Sequence, residues 1–186
     1  MKKSESIEYM KKLGLNTLDC LVTNNVEEAH EYLKNTKAHQ LSMRTEKGSN
    51  DFSCPFYYNY TKINLLMPIE ECISNGYTLI LYPFLDWRDS LAFGTIGMPK
   101  DGRIIVEFVM EPGLVRSLDT HKNRRSLILP QGLQLVEGNV FVNEVVREVK
   151  AKCYDEPPCI VEWSYYRDPV GNLNKRPIFW EIRKYA

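Results

Sequence analysis

IVEWSYY (residues 160–166) and PIFWEIRK (residues 177–184) decide how this chain reads. Both are rich in β-branched and aromatic residues, and a turn holding Asp168-Pro169 and Gly171-Asn172 separates them. That is the pattern of an antiparallel hairpin. Strand alternation puts Ile160, Glu162 and Ser164 on one face and Val161, Trp163 and Tyr165 on the other. In the second strand Phe179, Glu181 and Arg183 share a face, with Ile178, Trp180 and Ile182 opposite. A hairpin symmetric about Gly171 and Asn172 sets Glu162 across from Glu181. Like charges facing each other weaken a ladder unless something neutralises them. A hard cation does so, and phosphate-bound Mg²⁺ is commonly held by one or two carboxylates. Arg183, two residues past Glu181 on the same face, is placed to neutralise the pair in part or to reach a phosphate. A solvent-facing strand that simply carries charge is the other reading.

Working back from this hairpin, Asn139 to Cys153 carries Val142, Val145, Val146 and Val149 at i, i+3, i+4, i+7 spacing, which predicts an amphipathic helix. Ser90–Met98 and Arg103–Met110 flank Pro99-Lys100-Asp101-Gly102, a hairpin turn signal. Tyr77–Tyr82 is an apolar run closed by Pro83, as in a buried strand. Pro68–Asn75 predicts a short helix with its proline in the first turn. Gln40–Arg44 reads as a strand and Thr45–Asp51 as a polar loop. Asn25 with Glu28 three residues on predicts a capped helix ending near Asn35. Asn16–Val22 reads as a strand, and Ser4–Leu13 as a helix with Ser4 as N-cap and Gly14 just past its end. The pattern is α+β, with antiparallel strands dominating the second half.

The chain has 186 residues, enough for one domain or two small subdomains sharing a cleft. Lys plus Arg and Asp plus Glu each number 24. The resulting zero net charge argues against a general nucleic-acid or anionic-membrane binder. No apolar run approaches a membrane span, and MKKSESIEY lacks the apolar core of a signal peptide. The five cysteines form no C-x-x-C and pair with no histidine at zinc spacing, so reduced thiols in a cytoplasmic protein are expected. Among the histidines, His30 is expected at the surface. His121 lies in DTHKNRR beside Lys122, Arg124 and Arg125, where a solvated loop and a basic patch for a phosphorylated acceptor are both open.

IVEW, a turn and IFWEIR together resemble the end of the ATP-grasp nucleotide-binding domain of the pyruvate phosphate dikinase and phosphoenolpyruvate synthase family. That motif runs D-I-E-[WF], a hairpin, then L-Q-x-R. The match sets Glu162 on a metal-binding glutamate, Glu181 on a metal-binding glutamine, Arg183 on a phosphate-contacting arginine, and Ile160 where the family has aspartate. KSESIEYMKKLGLNTL keeps the spacing of the family's opening motif and sets Lys3 on its phosphate-binding lysine, without the neighbouring glycines and following prolines. LSMRTEKGSNDFS resembles the segment whose arginine contacts the transferred phosphoryl group, which is Arg44 here. Lys47, Gly48 and Ser49 then form a donor-rich loop. TLILYPFLD resembles the strand leading to the hinge. There the backbone of Tyr82, Pro83, Phe84 and Leu85 would meet adenine's edge, and Asp86 would reach the ribose. RIIVEFVMEPGLVR adds Glu107 and Arg116 as second-tier candidates near the nucleotide.

The resemblance implies a single ATP-grasp-like domain over residues 1–186, with approximate subdomains 1–82 and 83–186. Each is a small α+β unit with mostly antiparallel sheet, and a nucleotide cleft lies between them. It implies ATP and Mg²⁺ as cofactors and phosphoryl transfer, or ligation through an acyl-phosphate. Lys3, Arg44 and Arg183 would be catalytic, and Glu162 and Glu181 metal ligands. The acceptor would be a separate protein or a small molecule. The family's further phosphohistidine and pyruvate-binding domains have no counterpart in these residues. The alternative is a degenerate nucleotide-binding or protein-interaction module without catalysis, favoured by Ile160 and by the missing glycines around Lys3.

Overall fold

The computed structural model describes residues 1–48, 54–110, 123–130, 139–153, 156, 158–166 and 176–184. Two units divide the chain. One takes Lys2–Ser4 and Leu18–Phe84; the other takes Met1, Glu5–Thr17 and Leu85–Ala186.

The first unit is a four-stranded antiparallel sheet in the order β1-β4-β2-β3, built from β1 (Leu21–Thr23), β2 (Gln40–Glu46), β3 (Phe56–Thr61) and β4 (Thr78–Pro83). Helices α2 (Val26–Asn35) and α3 (Lys62–Ser74) cover one face of it. Alternation aims Leu41, Met43, Leu79 and Leu81 at those helices, where they are buried with Ala29, Leu33, Leu65, Ile69 and Cys72. The same alternation turns Ser42, Arg44, Ile80 and Tyr82 to the opposite face. Asn25 caps α2 as expected, its side chain accepting from the Glu28 N–H at 3.0 Å. The Glu28 carboxylate does not complete a reciprocal box; it accepts from the Thr23 hydroxyl at 2.6 Å.

Helix α3 starts six residues before the expected Pro68, which lies inside it. Proline in a helix interior leaves the carbonyl four residues back without its usual partner and is costly. Here burial of Leu65, Ile69 and Cys72 on one side outweighs that cost. Because Ile63 and Met67 face outward, 74% and 79% exposed, the apolar residues ring this helix and give no clean stripe. Strand β3 was not expected at all. It carries a bulge against β2, with Asn59 at φ 61°. Strand β2 also runs two residues further than the expected loop boundary, to Glu46.

The second unit is a five-stranded antiparallel sheet in the order β7-β6-β5-β8-β9. Its strands are β5 (Ser90–Met98), β6 (Ile104–Met110), β7 (Arg125–Leu129), β8 (Cys159–Tyr166) and β9 (Ile178–Lys184). Helix α4 (Val140–Cys153) buries Val142, Val145, Val146 and Val149 against Ile96, Val106, Val161 and Trp163. Each such valine contributes about 1.5–3 kcal/mol by leaving water. The expected β5–β6 hairpin is present, its turn closed by the Gly102 N–H on the Pro99 carbonyl at 3.2 Å. β7, an edge strand, was not foreseen.

Helix α1 (Lys3–Lys12) ends where Gly14, at φ 71°, lets the Leu15 N–H reach the Met10 carbonyl at 3.0 Å. The expected strand from Asn16 to Val22 does not form as one piece. The Asn16 carbonyl accepts from the Phe179 N–H at 2.9 Å, and Thr17 bridges Phe179 in parallel. The Ser6 hydroxyl accepts from the Ile182 N–H at 2.7 Å. Edge strand β9 is thereby covered. The chain then joins the other sheet as β1, so the segment is divided between two ladders.

Candidate functional site

The β8–β9 register places Glu162 directly across from Glu181. The next strand sets Thr95 opposite Glu162 on one side and opposite Glu107 on the other, and Ser126 of β7 faces Glu107. Directly opposed residues point to the same face, so Glu107, Thr95, Glu162 and Glu181 form one polar row across four strands. The face behind them carries Val106, Ile96, Val161, Trp163 and Ile182, all buried. This row is where the sheet's pleat puts charge; the core on the reverse side fixes its register.

A bulge between Glu162 and Trp163 changes one expected face. Trp163 pairs with Phe179, so Trp180 is the extra residue. Phe179 therefore turns into the core, 1% exposed, and does not share a face with Glu181 and Arg183. Trp180 instead swings its indole N–H onto the Ser164 hydroxyl at 2.5 Å. Arg183 stays on the polar face, opposite Ile160. Its Nη2 lies 3.2 Å from Glu162 Oε1 and its Nη1 4.0 Å from Glu181 Oε1. At the other end of the row Arg124 Nε lies 3.9 Å from Glu107 Oε1.

The opposed glutamates fit a hard divalent cation. They are acceptor-only oxygen ligands on neighbouring strands, and their mutual repulsion is already offset by a cation. Among the described residues no three His, Cys, Asp or Glu side chains gather into a metal cage. A metal held here would complete its shell with phosphate and water, as Mg²⁺ usually does.

In the first unit, Arg44 and Tyr82 come together on one face of the sheet. Arg44 Nε donates to the Tyr82 hydroxyl at 3.2 Å, and its guanidinium lies 5.1 Å from the Phe56 ring centroid. Burial pushes the Tyr82 phenol up, against the pull of the Arg44 charge, so it stays protonated. The ring contact contributes about 0.5–1 kcal/mol at an exposed position and fixes the direction of the fork. Phe56 belongs to β3, so this arrangement could not be read without that strand. Phe84 packs edge-on to Tyr58, 4.9 Å between centroids.

The Phe84 N–H is spent on the Gln40 carbonyl at 2.9 Å. Antiparallel alternation then turns the Pro83 carbonyl to the β1 side, past the last β1 partner, Leu21 opposite Leu81. Asp86 caps a short 3₁₀ turn at 87–89, accepting from the Arg88 N–H at 3.0 Å and from the Arg88 side chain. Lys3 is the first residue of α1. Lys47 donates to the Asn75 carbonyl at 2.6 Å at the end of α3. Ser49, Arg116, His121, Lys122 and the turn at 168–172 lie outside the described residues.

No protein-family model matches this chain, and no curated protein does. Solved structures do. An RiPP-associated ATP-grasp ligase of Chryseobacterium gregarium, solved with ADP and a leader and core peptide, aligns at TM-score 0.52 and 12% identity over 97% of this chain and 51% of its own. D-alanine-D-alanine ligase of Helicobacter pylori aligns at TM-score 0.55 and 13% identity, over 97% and 52%. N5-carboxyaminoimidazole synthetase of Staphylococcus aureus, complexed with ADP, aligns at TM-score 0.53 and 11% identity, over 96% and 42%. The chain thus spans about half the length of the structures it matches. These three are ligases and synthetases, not pyruvate phosphate dikinases. No described helix is long and apolar enough to cross a membrane. With mostly antiparallel α+β units and these structural likenesses, the chain has the ATP-grasp fold.

Proposed function

We propose that residues 1–186 act as one ATP-grasp domain that binds ATP with Mg²⁺ and passes the terminal phosphoryl group to an acceptor, in a ligation through an acyl-phosphate or in a direct phosphoryl transfer. The observation that carries this reading is the Glu162–Glu181 pair, with Arg183 on the same face, in a chain of this fold. Glu162 and Glu181 are the proposed metal ligands. Bound there, Mg²⁺ would neutralise charge on the phosphates. Arg183 stabilises charge on the phosphoryl group in flight, where fixed donors matter most. On the other unit, Lys3 and Arg44 are the proposed phosphate cations. Arg44 suits that role because Tyr82 and Phe56 pre-orient its planar fork.

The segment Tyr82, Pro83, Phe84, Leu85 is proposed to meet the adenine edge, with the Pro83 carbonyl as one acceptor. Asp86 toward the ribose and Glu107 near the nucleotide are proposed on the resemblance. Asp86 would have to share its carboxylate with Arg88. The likeness to ligases favours ligation, with a carboxylate as acceptor; a peptide or small molecule would supply it. The narrower tie to the dikinase and phosphoenolpyruvate synthase family rests on the sequence motifs. A second reading, nucleotide binding without turnover, is favoured by Ile160 across from Arg183, which leaves that rung without a carboxylate.

The test is ATP consumption by the purified chain with pooled carboxylates and amines, with products identified. ADP, phosphate and a ligated product support ligation; a stable phosphorylated acceptor supports transfer. ATP binding without turnover supports the second reading. Nucleotide at 100 times its dissociation constant should stabilise the fold by about 2.7 kcal/mol. No shift with any nucleotide removes both readings.

A further inference from the structure

Arg183 divides one guanidinium between two carboxylates. One terminal nitrogen lies 3.2 Å from Glu162 and the other 4.0 Å from Glu181. Those carboxylates are the proposed metal ligands, so the arginine occupies the position where a cation would lie. Its direct cross-strand neighbour is the apolar Ile160, and the neighbour of Glu162 on the inner side is the neutral Thr95. The next carboxylate along the row, Glu107, meets Arg124. The Arg183 side chain is 50% exposed, against 22% for Glu181, so it can swing off the pair without disturbing the core.

We infer that Arg183 is a built-in counter-ion of the Glu162–Glu181 pair that a divalent cation must displace, so that the cation binds well only together with nucleotide phosphates, which then take the released guanidinium. This rests on the function proposed above. The guanidinium offsets part of the charge of the two carboxylates and so weakens their attraction for a hydrated dication. A dication placed on the pair repels the guanidinium at close range unless an anion joins them. Triphosphate supplies that anion and offers the planar fork a bidentate partner. Metal and nucleotide are therefore coupled through one side chain, and linkage requires the coupling to be equal in both directions.

The test uses Mn²⁺ as the metal, followed by loss of the free-ion electron paramagnetic resonance signal, and a nonhydrolysable ATP analogue. The chains are wild type, Arg183→Gln, Arg183→Lys and, as a control for net charge, Arg103→Gln. Wild type should bind Mn²⁺ weakly alone and more tightly with the analogue. Arg183→Gln should bind Mn²⁺ alone about 5- to 150-fold more tightly than wild type, the ordinary range of a coupling between sites. Its affinity should also depend less on the analogue. Lysine keeps the charge but lacks the planar fork that spans the pair, so Arg183→Lys should fall between the two, and it carries the test if the glutamine variant does not fold. Arg103→Gln, which frees Asp101 at a distant turn, should match wild type. Equal Mn²⁺ affinity in wild type and the Arg183 variants without nucleotide, with tight binding alongside the analogue, overturns the counter-ion role and leaves the proposed function standing. No Mn²⁺ binding by wild type under either condition overturns both.

Discussion

Glu162 and Glu181 face each other across one strand pair, with an arginine drawn in from two residues away, whereas Arg44 is held by an aromatic ring and a phenol from two other strands. The first arrangement concentrates negative charge around one guanidinium; the second presents a cation already aimed. They also differ in what fixes them. The glutamates depend on the register of a five-stranded sheet, while Arg44 depends on side chains that lean on it. Perturbing the second sheet should therefore cost stability first, and perturbing the Arg44 cluster should cost affinity first.

The largest effect is expected at Gly94, in the middle of β5. A Cβ there would lie 2.1 Å from the Glu107 carbonyl oxygen and 2.8 Å from the Phe108 Cα, so backbone rather than a flexible side chain would have to move. Gly94→Ala should cost about 3 kcal/mol, at the upper end of overpacking costs, and lower the melting temperature of the sheet that carries the glutamates. Arg44→Ala should leave the melting temperature near wild type. It should weaken nucleotide binding about tenfold, which is about 1.4 kcal/mol in a titration. Equal losses of stability at the two positions would erase the contrast between the glutamate pair and the Arg44 cluster.

A smaller effect is expected at Asn25, which caps α2 through the Glu28 N–H. Asn25→Ala should cost about 1 kcal/mol in denaturant unfolding, without changing nucleotide affinity. The smallest is a pH effect on the first unit. Burial pushes the Tyr57 phenol up to about 12, and burial with the nearby Asp19 charge does the same for Tyr32. Above about pH 10 the unfolded chain releases these protons while the folded chain keeps them. Stability present below pH 10 is thus lost as pH rises toward 12. Tyr57→Phe should flatten that fall in thermal unfolding followed across pH 9 to about 11.5.

The same contrast explains what the sequence made legible. Period-two alternation in residues 160–166 and 177–184 was enough to predict the Glu162–Glu181 pairing and the side on which Arg183 falls. The valine stripe of α4 was legible for the same reason: one face is buried and the other is not. Alternation fails at a bulge, so Phe179 was expected on the wrong face. Helix α3 was half hidden because Ile63 and Met67 face outward and Pro68 looks like a start. β3 was missed although PFYYNYT is rich in aromatics, the strand signal that could have found it. Missing β3 concealed the ring that orients Arg44. The short edge strand β7 and the division of residues 16–23 between two ladders depend on tertiary pairing and leave no local periodicity.

The most direct test of the central claim is a calorimetric titration of ATP, with and without Mg²⁺, into the intact chain and into a chain carrying Glu162→Gln and Glu181→Gln. Glutamine keeps the size and an oxygen at each position while removing the opposed charges. ATP should bind the intact chain more tightly with Mg²⁺ than without it, and the double variant should lose that strengthening with its fold retained. Binding that is equally strong in both chains, or no binding of ATP by the intact chain, would contradict it.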